Sequence, residues 1–279
     1  MPELPELQAH AERLTSRYAA ASLEEFRPLT FTALKTASPD PSTAIGEALA
    51  EVGRRGKYLL PTFGALTFVV HLMQGGRLKE DPKPSAKPRN GIARWRFADG
   101  RAWLLTEAGT ERRAGVWCVP SADRLRLPPL ADLGPEADRI SAGELADRFT
   151  QHNQRLHGFL RDQTCVAGLG RRLANEVCHR ARLSPFAMTG RLGAGGAQAV
   201  VDAIAAACAE GLAAERARSE MSSSGDRPGG VHGRTGLPCP ACGDSIREVA
   251  YSSYTVHYCP ACQTGGKALA DNTTSKFLR

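Results

Sequence analysis

The chain is 279 residues long, with 42% hydrophobic and 23% charged residues, a balance that supports an apolar core and excludes global disorder. Lysine and arginine outnumber aspartate and glutamate 36 to 29, a formal charge of +7, which fits a polyanionic partner. The Met1-Pro2-Glu3-Leu4-Pro5-Glu6 start lacks a basic stretch leading into an apolar one, and no apolar run of membrane-spanning length is read along the chain; the expectation is a cytoplasmic, nucleoid-associated monomer with no membrane partner.

Leu4, Leu7, His10, Ala11 and Leu14 recur every three or four residues, so a short amphipathic helix to about Arg17 is predicted directly behind the amino terminus. Tyr58-Leu59-Leu60, Leu66 to Leu72, Ala93 to Phe97 and Arg101 to Leu105 are short, rich in β-branched or aromatic residues and separated by Gly, Pro and Asp; they predict strands of an antiparallel sandwich. The texture changes around Pro128 to Pro135. Ser141-Ala142-Gly143-Glu144 then has the form of a capping box opening a helix into Leu145 and Phe149, and the chain reads as helical to about Arg218. Ala205 to Ala214 is expected to be a plain packed helix, and Ser222 to Gly230 a mobile loop before a last module.

Cys118, Cys165, Cys178 and Cys208 are scattered among apolar residues and read as reduced core thiols. The other four cysteines form Cys239-Pro240-Ala241-Cys242 and Cys259-Pro260-Ala261-Cys262, a Cys-x2-Cys-x16-Cys-x2-Cys array in which each knuckle aims two thiolates at one tetrahedral centre. The alternative, a pair of disulfides, fits a reducing compartment poorly. A closed four-thiolate site leaves no open position for substrate, so one structural Zn2+ is expected, holding a ribbon that lies along nucleic acid. His257, two residues before Cys259, is expected to be a surface or DNA-facing side chain.

Pro2-Glu3-Leu4-Pro5-Glu6 has a bland reading as a helix cap, with proline in the first turn and acids at the positive end of the dipole. Its functional reading needs Met1 to be removed. The exposed secondary amine has a reference pKa of about 8 against about 10.4 for a lysine side chain, so roughly a hundredfold more of it is uncharged and nucleophilic at neutral pH.

Taken together, Met1 to Glu6, Arg54-Arg55-Gly56-Lys57-Tyr58-Leu59-Leu60, Val166-Ala167-Gly168-Leu169-Gly170 with Ala174-Asn175-Glu176, and the terminal cysteine array resemble the formamidopyrimidine-DNA glycosylases and their endonuclease VIII relatives, in register over nearly the whole chain. The resemblance implies an α+β multidomain protein: an N-terminal catalytic β-sandwich over residues 1–130, a helix-two-turn-helix DNA-binding domain over 131–220 and a zinc ribbon with its tail over 231–279, with DNA in the cleft between. It implies a glycosylase with abasic-site lyase activity acting in base-excision repair on double-stranded DNA that carries oxidised bases or abasic sites. By it, Pro2 attacks the anomeric carbon, Glu3 protonates the sugar ring oxygen and Lys57, on a hairpin tip, contacts phosphate and helps the elimination. Gly170, Arg171 and Asn175 are implied phosphate-binding residues at a helix start. Gln74 and Arg112 fall in the segments that probe the gap left by an extruded base.

The chain departs from the family at several points. Arg171 stands where an asparagine is usual, Gln74 replaces a methionine and Ala114 a phenylalanine, and Tyr254 occupies the ribbon position, five residues before Cys259, of a phosphate-gripping arginine. A neutral phenol neutralises no phosphate, so affinity and its salt slope are expected to drop by about one contact. Three alternatives stay open at this level: an oxidised-pyrimidine glycosylase or mainly abasic lyase of the endonuclease VIII kind, a catalytically weak lesion-binding protein of the same fold, and a zinc-ribbon transcription factor, which would leave the amino terminus unexplained.

Overall fold

The computed structural model describes residues 1–109, 112–223, 226–227 and 229–269. The expected loop at 222–230 lies partly, and the tail at 270–279 wholly, outside the described residues. The chain divides into two compact units, one of Met1–Leu133 with Glu215–Ser224, the other of Gly134–Ala214 with Gly225–Arg279.

In the first unit, helix α1 spans Leu4–Tyr18 and buries Leu4, Leu7, Ala11, Leu14 and Tyr18, the spacing read from the sequence. Eight strands follow: β1 Leu23–Pro28, β2 Leu49–Arg55, β3 Tyr58–Phe63, β4 Leu66–His71, β5 Gly76–Glu80, β6 Gly91–Phe97, β7 Ala102–Glu107 and β8 Gly115–Pro120. They form two four-stranded antiparallel sheets, ordered β1-β6-β7-β5 and β2-β3-β4-β8. Phe63, Phe68, Trp95, Phe97 and Trp103 share one core with Leu7, Leu14 and Tyr18, and Tyr18 meets Trp103 edge-on at 4.9 Å between ring centroids. Burial of these large rings is the main source of stability for a sandwich of this size. A second cluster of Leu60, Val69, Val119 and Leu130 forms beside it.

In the second unit, α2 (Ala142–Gln151) opens with the Ser141 hydroxyl accepting from the Glu144 N–H at 3.2 Å, as the capping motif predicts. Helices α3 (Leu156–Arg161), α4 (Arg171–Arg180) and α5 (Gly193–Arg216) follow. The cysteine module is a two-stranded ribbon of β9 (Arg247–Ala250) and β10 (Thr255–Tyr258), closed by a single turn, α6 (Pro260–Gln263). One expectation needs correction: α5 is 24 residues long with a mean hydropathy of 1.4, long and apolar enough by length and composition to cross a membrane. Its apolarity comes mostly from alanine, and its buried side chains, among them Ala197, Val200, Ile204 and Cys208, follow helical spacing, the pattern of a helix packed along one side.

Candidate functional site

The amino terminus is built as a buried helix start. Pro2 is buried and Met1 half-buried; Glu3 is the residue before α1, and its backbone N–H donates to Glu6 Oε2 at 2.7 Å. Glu6 thus satisfies a donor that the helix cannot, which fixes the direction in which Pro2 leaves the helix. Glu3 itself is 3% exposed.

Helix α1 lies against β2, where the Thr15 hydroxyl accepts from the Val52 N–H at 2.8 Å. Strands β2 and β3 are joined by the two-residue turn Gly56-Lys57, since Arg55 pairs with Tyr58. Gly56 takes φ 53, the left-handed region that the first position of so tight a hairpin requires. The Arg54 guanidinium donates to Gln8 Oε1 on α1 at 3.1 Å and to the Gly56 carbonyl at 3.0 Å. This bridge holds the Lys57 turn beside the amino-terminal half of α1. Lys57 is 8% exposed, so it is not the solvated tip lysine that the hairpin position alone would give. On the next strand, His71 packs against Tyr58 with the rings tilted by 44° and 4.6 Å between centroids, and burial, with the Lys57 charge second, pushes its pKa down to about 4. A neutral imidazole beside a buried ammonium is the result.

The β4–β5 turn carries Gln74, exposed, after Met73 at φ 52. The turn closes so tightly that a Cβ on Gly76 would sit 1.9 Å from the Leu72 carbonyl oxygen and one on Gly75 2.6 Å from that of Ala108. Gln74 lines a hollow of about 430 Å3 with Glu107 and Arg113. Arg112 is exposed at φ 42 and lines a different hollow with Arg27, Lys87 and Arg89; Gln74 therefore shares its surroundings with Arg113 rather than Arg112. Ala114 is 1% exposed, and its N–H donates to Glu107 Oε2 at 2.6 Å.

In the second unit, Gly170 precedes α4 and Arg171 is its first residue. Gln163 pins the approach, donating to the carbonyls of Arg161 and Leu169 and accepting from the Gly168 N–H. Asn175 was expected to touch DNA, yet it is 0% exposed. Its Oδ1 accepts from the His257 N–H at 3.2 Å and its Nδ2 lies 2.8 Å from His232 Nδ1, so the amide is used to fasten the ribbon to α4. His257 also differs from expectation: at 8% exposed it is buried, its ring between Asn175 and Glu248, because it lies on the side of β10 that turns toward α4. Tyr254 is in the turn between β9 and β10 and stacks on Tyr251 at 4.7 Å and 14°.

The four sulfurs of Cys239, Cys242, Cys259 and Cys262 lie within 4.8 Å of one another, with Cys239 to Cys262 at 3.9 Å and Cys242 to Cys259 at 3.4 Å. A tetrahedral zinc with Zn–S of about 2.3 Å needs sulfurs about 3.8 Å apart, so the donor set fits one structural Zn2+. His179 Nε2 lies 3.2 Å from Cys239 Sγ, the kind of outer contact that orients a metal-bound thiolate.

The residue that sequence reasoning missed is Glu176. Its buried carboxylate accepts from Gly230 N at 2.7 Å, Val231 N at 3.1 Å and His232 N at 2.9 Å, clamping the segment that enters the ribbon. A Cβ at Gly229 or Gly230 would lie 3.0 or 3.2 Å from those oxygens, so the glycine pair is the signal that could have found it.

Comparison with known proteins agrees with this architecture. Residues 1–117 match the formamidopyrimidine-DNA glycosylase N-terminal domain, 133–223 its H2TH domain and 236–265 the zinc finger found in these glycosylases and in isoleucyl-tRNA synthetase. The formamidopyrimidine-DNA glycosylase of Alkalilimnicola ehrlichii is 31% identical over 287 residues, covering 94% of this chain and 100% of its own. Among solved structures, the MutM (Fpg) protein of Thermus thermophilus superposes with a TM-score of 0.80 at 26% identity, covering 96% of this chain and 100% of its own. The Lactococcus lactis Fpg in complex with abasic-site DNA shares the fold, with a TM-score of 0.82 at 20% identity over 94% and 99% of the two chains. With sandwich, helical domain and four-cysteine finger all present and matched in order, the chain belongs to the formamidopyrimidine-DNA glycosylase family of DNA repair proteins.

Proposed function

We propose that this protein is a bifunctional glycosylase and abasic-site lyase that excises oxidised bases of the formamidopyrimidine and 8-oxoguanine type from duplex DNA. The single observation that carries the reading is the burial of two ionisable groups, one acid and one base: Glu3 at the start of α1 and Lys57 in the turn that Arg54 tethers to the same helix. Withdrawing two ionisable groups from water costs several kcal/mol. A helix cap alone needs neither to be buried.

After Met1 is removed, the Pro2 nitrogen attacks C1′ of the damaged nucleotide, and the glycosidic bond breaks with its electron pair passing to the base, which takes up the proton that the Pro2 nitrogen sheds. Glu3 gives its proton to the ring oxygen, which leaves C1′ and opens the sugar, so that an iminium joins Pro2 to C1′. The cationic iminium draws electrons from C2′; loss of a C2′ proton and departure of the 3′ phosphate oxygen nick the strand. Lys57 supplies positive charge to that leaving phosphate. Gly170 and Arg171 hold backbone phosphate at the start of α4, and Gln74 and Arg112 meet the duplex near the extruded base. Asn175, fully enclosed, serves by keeping the ribbon on α4, and the zinc ion, when bound, holds the ribbon in shape. The binding of abasic-site DNA by the L. lactis protein supports a duplex partner of the same kind.

The test is strand cleavage by the mature protein on duplexes carrying either 8-oxoguanine or a preformed abasic site. Nicking of both supports the bifunctional reading. Nicking of the abasic duplex alone leaves a lyase, and binding without cleavage of either leaves a lesion-binding protein.

A further inference from the structure

The turn from Tyr251 to Tyr254 is surrounded by cations from other parts of its own unit. The Arg161 guanidinium carbon, from the end of α3, lies 4.0 Å from the Tyr254 ring centroid. On that ring Tyr251 is also stacked, and His157 lies parallel at 6.0 Å and 12°. Arg155 donates to the Tyr251 hydroxyl at 3.0 Å and Arg171 to the Ser253 carbonyl at 3.4 Å. Among the described residues none of Arg155, Arg161 and Arg171 has a carboxylate within ion-pair distance. His157 is 3% exposed, and its Nε2 has no hydrogen-bond partner among the described residues.

Guanidinium groups stay charged at any physiological pH, and gathering several of them without a counter-ion is unfavourable unless an anion completes the group. A guanidinium lying on an aromatic ring keeps its in-plane N–H donors available, in the fork that matches phosphate oxygens. We propose that Arg161, held on Tyr254 and joined by Arg171, forms a phosphodiester-binding site in which Tyr254 is the platform and Arg161 the contact. This rests on the DNA-repair reading given above. It removes the penalty expected from Tyr254: the charge missing from the ribbon is returned by α3, and the stack of His157, Tyr254 and Tyr251 fixes where it points.

The experiment measures the affinity of the zinc-loaded full chain for a short duplex carrying a tetrahydrofuran abasic analogue, by fluorescence anisotropy across a range of salt. R161Q lowers the slope of log affinity against log salt by about 0.9. Over a fourfold rise in salt the wild type therefore loses about 3.5-fold more affinity than R161Q. Y254F keeps the wild-type slope, because the ring remains, while Y254A falls with R161Q. Placing arginine on the ribbon, as Y254R in the R161Q background, restores the slope. Zinc content equal to wild type verifies the fold of each variant; should R161Q lose zinc, Y254A against Y254F reads the same site. An R161Q slope equal to that of a salt-sensitive wild type overturns the proposal alone. Wild-type protein with no measurable affinity for the abasic duplex overturns the DNA reading, and the proposal with it.

Discussion

Replacing Glu176 by glutamine is expected to loosen the ribbon without touching the cysteines. The two carboxylate oxygens take three backbone donors, Oε2 that of Gly230 and Oε1 those of Val231 and His232. An amide has one acceptor oxygen, so whichever way it turns, its NH2 faces at least one N–H. Orphaning one buried donor costs about 1 to 3 kcal/mol, and the bonds that survive lose their charge assistance, so E176Q should cost about 3 kcal/mol. With a urea dependence of about 2 kcal/mol per molar, the unfolding midpoint falls by about 1.5 M. A chain of two units need not unfold in one step, so zinc release to a chromogenic chelator should be followed beside circular dichroism. Release accelerates in E176Q, and G230A, which puts a methyl group 3.2 Å from Oε2, gives a smaller effect that is less than additive with it. A midpoint and release rate equal to wild type would refute the clamp.

Three further outcomes follow from the same geometry. Glu3→Gln is expected to abolish release of 8-oxoguanine while sparing much of the nicking at preformed abasic sites, where the hemiacetal opens without an enzyme acid; equal loss of both would remove the acid role from Glu3. Lys57→Gln should slow strand cleavage more than formation of the covalent intermediate, compared in single-turnover assays, and an equal slowing of both steps would contradict a role in elimination. Burial holds the His10 pKa down to about 4 against 6.5 for the free side chain. The unfolded chain therefore takes up a proton that the folded one refuses, and stability present above pH 6.5 is lost as pH falls toward 4. At pH 5 the loss is about 2 kcal/mol; H10Q should remove it, seen as a stability gap to wild type that narrows from pH 7 to pH 5, and a gap independent of pH would refute it.

Much of the fold was legible because its elements advertise themselves locally. The α1 stripe of Leu4, Leu7, Ala11 and Leu14 and the aromatic strands around Trp95 and Trp103 are buried as their spacing requires, and the four thiolates converge as their two knuckles demand. Strands β1, β2, β5 and β8 were not read from the sequence, β8 although it is apolar and mostly buried. Leu23–Pro28, Leu49–Arg55 and Gly76–Glu80 are mostly polar, and their burial does not alternate cleanly, since each lies at the edge of its sheet. The chain read as helical to about Arg218, but where α5 begins was not legible, because alanine runs carry no periodic signal.

At the candidate site, motifs pointed to residue types with defined chemistry and could not report how those residues are enclosed. Asn175 sits in a phosphate-associated motif, yet the ribbon 82 residues away takes its amide. Glu176 meets Gly230 across 54 residues, and Arg161 meets Tyr254 through the tertiary packing of α3 on the ribbon turn. Long-range pairs of this kind leave only indirect marks in sequence, such as a glycine pair or a substitution that looks like a loss until its partner is seen.

The most direct measurement of the whole account is borohydride reduction of the mature protein incubated with abasic duplex, followed by peptide mapping of the adduct by mass spectrometry. The account predicts a covalent DNA–protein species whose only modified residue is an amino-terminal Pro2. An adduct on Lys57 or another lysine, or no adduct from protein shown to lack Met1, would contradict it.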